Sequence, residues 1–151
     1  MPFVRITVLS PTLDAEQIGQ LEQETKELMM SVMRKPIGGI AILVERVTAG
    51  SWSIAGNEVT TAAHVEATIG RGTNTAVEKA RFMTDMMKIL RTAFGPNLPD
   101  ESYVILHEVD RESYGRGGMA RAERDRQNPQ LSAFRNDRAR NIQEEIRDDP
   151  T

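Results

Sequence analysis

The chain has no cysteine. That excludes a disulfide framework, a thiolate nucleophile and a cysteine-type zinc site. It has only two histidines, His64 and His107, too few to build a metal centre by themselves. Both stand in strand-like surroundings and read as ordinary strand residues. There is no basic excess: 19 Lys and Arg face 22 Asp and Glu, a net charge of -3 with a pI near 5.5. That balance argues against a general nucleic-acid binder. No apolar run approaches ~18 residues, so no membrane-spanning helix is expected. A basic-then-apolar secretory pattern is also missing from the N-terminus. The expectation is a soluble cytoplasmic protein. Its 151 residues, 39% of them hydrophobic, can pack one domain or two small fused units.

What stands at the N-terminus is Pro2, directly behind Met1 and ahead of the alternating run from Phe3 to Leu9. A small residue at this position normally permits removal of the methionine. Proline would then be the N-terminus, and an N-terminal proline is a secondary amine with a pKa of about 8. Desolvation or a nearby cation lowers such a value toward or below neutrality. The nitrogen then serves as a base or nucleophile at pH 7. The plainer reading is that Pro2 only starts an edge strand.

The pattern behind Pro2 is written twice. In the first copy, residues 1–60, Val4, Ile6 and Val8 alternate with Arg5 and Thr7, predicting a strand. After Pro11, a helix follows with Ile18, Leu21, Thr25, Leu28 and Val32 on one stripe. It stops at Pro36 and Gly38-Gly39. The continuous apolar run from Ile40 to Val44 predicts a buried central strand. In the second copy, residues 61–118, Val65, Ala67 and Ile69 alternate with His64, Glu66 and Thr68. Thr75 and Glu78 have the spacing of a capping box. The predicted helix stripe is Ala76, Ala80, Met83, Met87, Leu90 and Phe94, and Tyr103 to Leu106 forms the fourth strand. The methionines at 29, 30, 33, 83, 86 and 87 sit at helical spacing and read as core filler.

After the second and fourth strands, Val47, Ser51, Trp52 and Gly56 recur as Val109, Ser113, Tyr114 and Gly118. Gly115-Arg116-Gly117-Gly118 reads as a hairpin, because a phosphate loop runs from a strand into a helix N-terminus and this segment runs into a charged tail. The fold class expected is α/β (α+β). Two fused βαβ units form a four-stranded sheet with both helices on one face. The bare face, carrying Phe3 or its alternates, predicts self-association. Residues 119–151 shift to a charged composition and read as a solvated, partly helical tail with few apolar anchors (Leu131, Phe134, Ile142, Ile146).

These residues together resemble the tautomerase superfamily, the family of 4-oxalocrotonate tautomerase. The resemblance rests on Pro2 heading a strand, the duplicated unit and the hairpin segments, and covers about residues 2–118. The chain is most similar to the fused-repeat branch that includes cis-3-chloroacrylic acid dehalogenase. Ser113-Tyr114-Gly115-Arg116 is similar to a Glu-Tyr-Gly-Arg stretch of that branch. The resemblance implies a tautomerase/MIF-like β-α-β fold and a homotrimer. It implies that Pro2 is catalytic, that Trp52 closes over the proline, and that Arg71 of the Gly70-Arg71 turn clamps a substrate carboxylate. Departures are visible too. A second substrate arginine of the short members falls here on Ala41 and Tyr103. The first arginine of the dehalogenase branch falls on Thr68, its helix histidine near Met29, and its late glutamate on Ser113. Those replacements argue against hydrolytic dehalogenation.

Such a site needs a base of pKa near 7, a cation for the carboxylate and an apolar wall. Pro2, Arg71 and Trp52 supply one of each. Tyr114 and Arg116 either line the pocket or simply close a hairpin. The expected activity is tautomerisation of a small 2-oxo or enol carboxylic acid, with no cofactor or metal. Hydration, decarboxylation or dehalogenation within the same superfamily is the alternative. A non-catalytic oligomer of the same fold is another. Expected partners are a small carboxylate substrate and copies of the chain itself, with no nucleic acid and no membrane.

Overall fold

The computed structural model describes residues 2–48 and 51–130. Met1 and the tail segment 131–151, with its predicted apolar anchors, lie outside the described residues. The first unit contains β1 (Phe3–Leu9), α1 (Ala15–Ser31), a 3-10 turn over Ile37–Gly39, and β2 (Ala41–Arg46). A short hairpin follows, β3 (Ser53–Ile54) and β4 (Asn57–Glu58). The second unit repeats the plan with β5 (Ala62–Gly70), α2 (Ala76–Phe94) and β6 (Val104–Val109). A second hairpin, β7 (Gly115–Arg116) and β8 (Met119–Ala120), leads into α3 (Arg121–Gln127).

Local chemistry explains the helix boundaries. Asp14 caps α1 by accepting from the Gln17 amide at 2.8 Å, while the Gln17 side chain accepts from the Asp14 amide. Thr75 and Glu78 form the same reciprocal box at α2. On α1 the buried residues are Leu21, Thr25, Leu28 and Met29, largely the predicted stripe. On α2 the buried row is Glu78, Phe82, Met86 and Leu90. The predicted stripe is therefore rotated by about one residue, and Met83 is exposed. The cause is Glu78: one carboxylate oxygen accepts at the cap and the other pairs with Arg34, so this charged residue can begin the buried row. Of the methionines, Met29, Met33 and Met86 are buried core, whereas Met30 and Met83 are exposed.

The sheet order is β2-β1-β5-β6. Within each unit the strands are parallel, and β1 meets β5 antiparallel at the junction. This corrects one expectation: β2 is an edge strand of the protomer, and β1 and β5 are central. The junction uses the free edges of β1 and β5, which leaves β2 and β6 outside. Val4, Ile6 and Val8 of β1 join Val65, Ala67 and Ile69 of β5 in the core beneath both helices. The opposite face is bare, with Phe3, Leu43 and Ile105 exposed. Arg5 pairs there with Glu45 at 2.5 Å, and His107 bonds Glu66 at 3.1 Å. That His107 hydrogen bond is the main influence holding the Glu66 carboxyl below the usual carboxylate range. Among the described residues no helix is long and apolar enough to cross a membrane.

A buried polar knot ties the two units together near the end of α1. Lys35 Nζ donates to Thr73 Oγ1 at 2.7 Å and to Asn74 Oδ1 at 2.5 Å. Asn74 Nδ2 donates to the Met33 carbonyl at 3.1 Å and to Glu78 Oε2 at 2.9 Å. Arg34 completes the knot with an ion pair to Glu78. Burial alone raises the Glu78 pKa; hydrogen bonds from Asn74 and the Thr75 amide, with the Arg34 charge, outweigh it and hold the carboxyl below its ordinary 4.5. Its contribution to stability is therefore complete above that ordinary value and is lost as pH falls through the depressed one. Glu78→Gln should cost about 1–3 kcal/mol at pH 7 and clearly less at pH 3. Urea unfolding at the two pH values checks this; equal losses would contradict the assignment.

Candidate active site

Pro2 is buried at the head of β1. Its carbonyl accepts from the Ala41 amide at 3.1 Å, which anchors it beside the start of β2. Because β1 and β5 run antiparallel with Phe3 opposite Thr68, the C-terminal end of β5 lies at the same end of the sheet. The Gly70 turn and the 3-10 turn over Ile37–Gly39 thus flank the proline. Duplication alone does not bring these elements together; the junction register does.

The second hairpin folds onto this end. Its Gly117-Gly118 turn has φ values of 60° and 77°, both left-handed, as a two-residue hairpin turn of this type requires. The first hairpin turns at Ala55-Gly56 with φ values of 51° and 79°. Both turns sit at the same position of the repeat. Gly115 has its α-carbon against β8, and an added Cβ would stand 2.6 Å from the Met119 carbonyl oxygen. Tyr114 reaches back to β5: a Cβ at Gly70 would stand 3.3 Å from its hydroxyl.

Between the hairpin and the 3-10 turn lies a cavity of about 350 Å³. That is within the range that takes small molecules. Its walls include Pro36, Gly38, Tyr114, Arg116, Arg121 and Arg124. Arg116 Nη1 donates to the Gly38 carbonyl at 3.3 Å, and Arg124 Nη2 donates to the Arg116 carbonyl at 2.6 Å. Arg121 Nε donates to Asp125 Oδ1 at 2.8 Å. Among the described residues no cluster of His, Asp and Glu is arranged to hold a metal ion.

The predicted site residues are therefore partly assembled. Tyr114 and Arg116 line the cavity. Pro2 is not in the cavity wall; its carbonyl bonds the Ala41 amide, two residues beyond the lining Gly39. Arg71 follows β5 at the same end, but its guanidinium turns toward β6. Nε donates to Asp110 Oδ1 at 2.7 Å and Nη2 donates to the Glu108 carbonyl at 3.2 Å. The Asp110 hydrogen bond raises the Arg71 pKa further, so the group is cationic throughout. Trp52 precedes the first hairpin, half-buried, with its carbonyl accepting from the Val59 amide at 2.9 Å. It is not part of the cavity wall. Arg121 and Arg124 are missed by the sequence reading, which assigns them to a solvated tail. The three-residue spacing of these arginines, directly behind a Gly-rich turn, is the signal that points to them.

No protein-family model matches the chain, and no curated protein matches it. Solved structures do. One is Pt0534 inactivated by 2-oxo-3-pentynoate: TM-score 0.70, 17% identity, covering 80% of this chain and 96% of that one. A fused 4-OT described as a symmetric trimer gives TM-score 0.72 at 12% identity over 81% and 98%. N1, a member of the cis-3-chloroacrylic acid dehalogenase family, gives TM-score 0.69 at 15% identity over 94% and 99%. The chain has the fold of tautomerase-superfamily structures.

The tight approach of Gly115 to β8 makes it the point on which the cavity wall depends. Gly115→Ala should open the hairpin, cost about 1–3 kcal/mol and strip protection from the Arg121 amide, which bonds the Tyr114 carbonyl at 2.9 Å. Gly38→Ala meets no atom within 4 Å and serves as the control. Hydrogen exchange by NMR distinguishes the two.

Proposed function

We propose that the protein is an enzyme that uses Pro2 as a general acid and base on a small 2-oxo or enol carboxylic acid, catalysing a tautomerisation. The reading requires that Met1 be removed, so that the prolyl nitrogen is a free amine. The observation that carries it is the position of Pro2: buried at the head of a central strand and bonded to Ala41, two residues beyond Gly39 in the wall of a cavity that a tyrosine and arginines line. The nitrogen would take a proton from the carbon alpha to the substrate carbonyl and return it elsewhere on the conjugated system. Burial disfavours its charged form and lowers its pKa toward neutrality. That is where a base serves best at pH 7. Inactivation of a protein of the same fold by a 2-oxo acid supports this substrate class.

Arg71 is the proposed carboxylate clamp. Its ion pair with Asp110 is well over half exposed on both sides. Exposed pairs are worth about 0–1 kcal/mol, so a substrate carboxylate held by two parallel hydrogen bonds competes well with Asp110. Trp52 leaves β2 at the end of the sheet opposite Pro2, so in this reading it supplies an apolar wall to the site of a neighbouring copy, and Tyr114 and Arg116 position the substrate from the second hairpin. The protein works as a homotrimer in this reading, because the bare sheet face exposes Phe3, Leu43 and Ile105 and a trimer is described for a protein of the same fold. The engagement of Arg71 by Asp110 favours a second reading, a non-catalytic oligomer of this fold.

Intact-mass measurement of the cellular protein and a paired assay separate the two. Loss of one methionine is expected. Phenylenolpyruvate and 2-hydroxymuconate are the probes, with kcat/KM rising with pH through the prolyl pKa. Pro2→Ala should lower kcat/KM by about 10²–10⁴-fold. Arg71→Ala should act mainly on KM, through loss of a charge-assisted contact worth about 1.5–3 kcal/mol. A retained methionine, or an unchanged rate in Pro2→Ala, removes the catalytic reading.

A further inference from the structure

We propose that Arg121 and Arg124 of α3, together with Arg116, form a binding site for the carboxylate of a small organic acid. The naming of the ligand rests on the reading of Pro2 given above. The site itself does not. Three guanidinium groups and one carboxylate, Asp125, line the cavity among the described residues, a formal charge of +2 in a space of about 350 Å³. An anion that enters this space meets an excess of positive charge.

The arginines are also held in place. Arg116 is fixed to Gly38, Arg124 to the Arg116 carbonyl and Arg121 to Asp125. Asp125 is in turn bridged to Arg111 at 3.5 Å. Each of these hydrogen bonds uses one nitrogen of a guanidinium that carries five N–H donors. The planar fork that remains suits the two oxygens of a carboxylate. Pro36 and Met119 add apolar wall for the carbon skeleton. Arg71, by contrast, is turned toward Asp110 and Glu108 and is not part of this wall. The α3 arginines therefore provide cations at the cavity that an anion can meet without displacing Asp110 from Arg71.

The test is calorimetric titration of the full chain with oxalate, benzoate and inorganic phosphate. A carboxylate should bind. Arg124→Gln should weaken it tenfold or more, and Arg124→Lys should weaken it less. Asp125→Asn should strengthen binding several-fold, because it removes the carboxylate that competes for Arg121. If these arginines only brace the hairpin, Asp125→Asn has the opposite sign, since losing the Arg121 and Arg111 pairs loosens the wall. In turnover, Arg124→Gln should raise KM with kcat little changed. Retained protection of the Arg121 amide shows that a variant is still folded at the site. Unchanged carboxylate affinity in folded Arg124→Gln, weaker binding in Asp125→Asn, or phosphate bound more tightly than either carboxylate overturns the proposal. Titrating Pro2→Ala keeps the two readings separate: Arg124-dependent binding there upholds the site even if Pro2 proves to have no catalytic role.

Discussion

The antiparallel pairing of β1 with β5 is the constraint on which everything else depends. Seven residue pairs, from Phe3 with Thr68 to Leu9 with Ala62, join two parallel units into one sheet. The pairing buries Val4 against Ala67, Ile6 against Val65 and Val8 against Ala63, each fully out of water. A slip of one residue would turn these side chains to the bare face and bring Phe3 and Arg5 beneath the helices. Burying an unpaired Arg5 there would cost several kcal/mol, so the register is strongly enforced. Its by-product is functional geometry. The start of β1 and the end of β5 share one end of the sheet, which places Pro2 and the Gly70 turn together although they are far apart in sequence.

The polar knot around Glu78 adds a second tie between the units. Lys35 and Arg34 follow α1, while Asn74, Thr75 and Glu78 open α2. Breaking one member strands several buried partners. Chain direction at Arg34 is part of the same device, since its φ of 53° turns the chain after α1 and leads it to Pro36 and the cavity. Helix packing and cavity wall are thus linked through one short segment.

The short-range features were legible in the sequence because they are written in local chemistry. Capping residues, alternating strands and the two hairpins all follow from neighbours within a few positions. The repeat was legible because Trp52 and Tyr114, and Gly56 and Gly118, keep a common offset. What the sequence left hidden depends on tertiary partners. Ile40 to Val44 is apolar enough for a central strand, yet only the β1–β5 junction decides that β2 lies at the edge. Glu78 was legible as a capping residue, but its burial rests on the pairing with Arg34 that only the tertiary fold brings to it. Arg121 and Arg124 looked like a solvated tail, because nothing local announces that β8 pairs with β7 and carries α3 back onto the 3-10 turn.

That return of the chain bears directly on where an anion can be held. At one end of the sheet there are two sets of guanidiniums, with different electrostatic settings. Arg71 faces an exposed carboxylate and a backbone carbonyl, so its charge is already matched and shared with bulk water. Arg116, Arg121 and Arg124 line a cavity in which, among the described residues, one carboxylate opposes them, that of Asp125, which pairs with Arg121 and Arg111. Screening is weaker between groups that share a partly enclosed space than across open solvent. The positive charge that lacks a matching carboxylate among the described residues therefore lies at the hairpin cavity rather than at Arg71. A carboxylate would reach these guanidiniums without first displacing Asp110. The segment that composition alone assigns to a tail thus places arginines at the cavity, whereas Arg71 takes an anion only in exchange for Asp110.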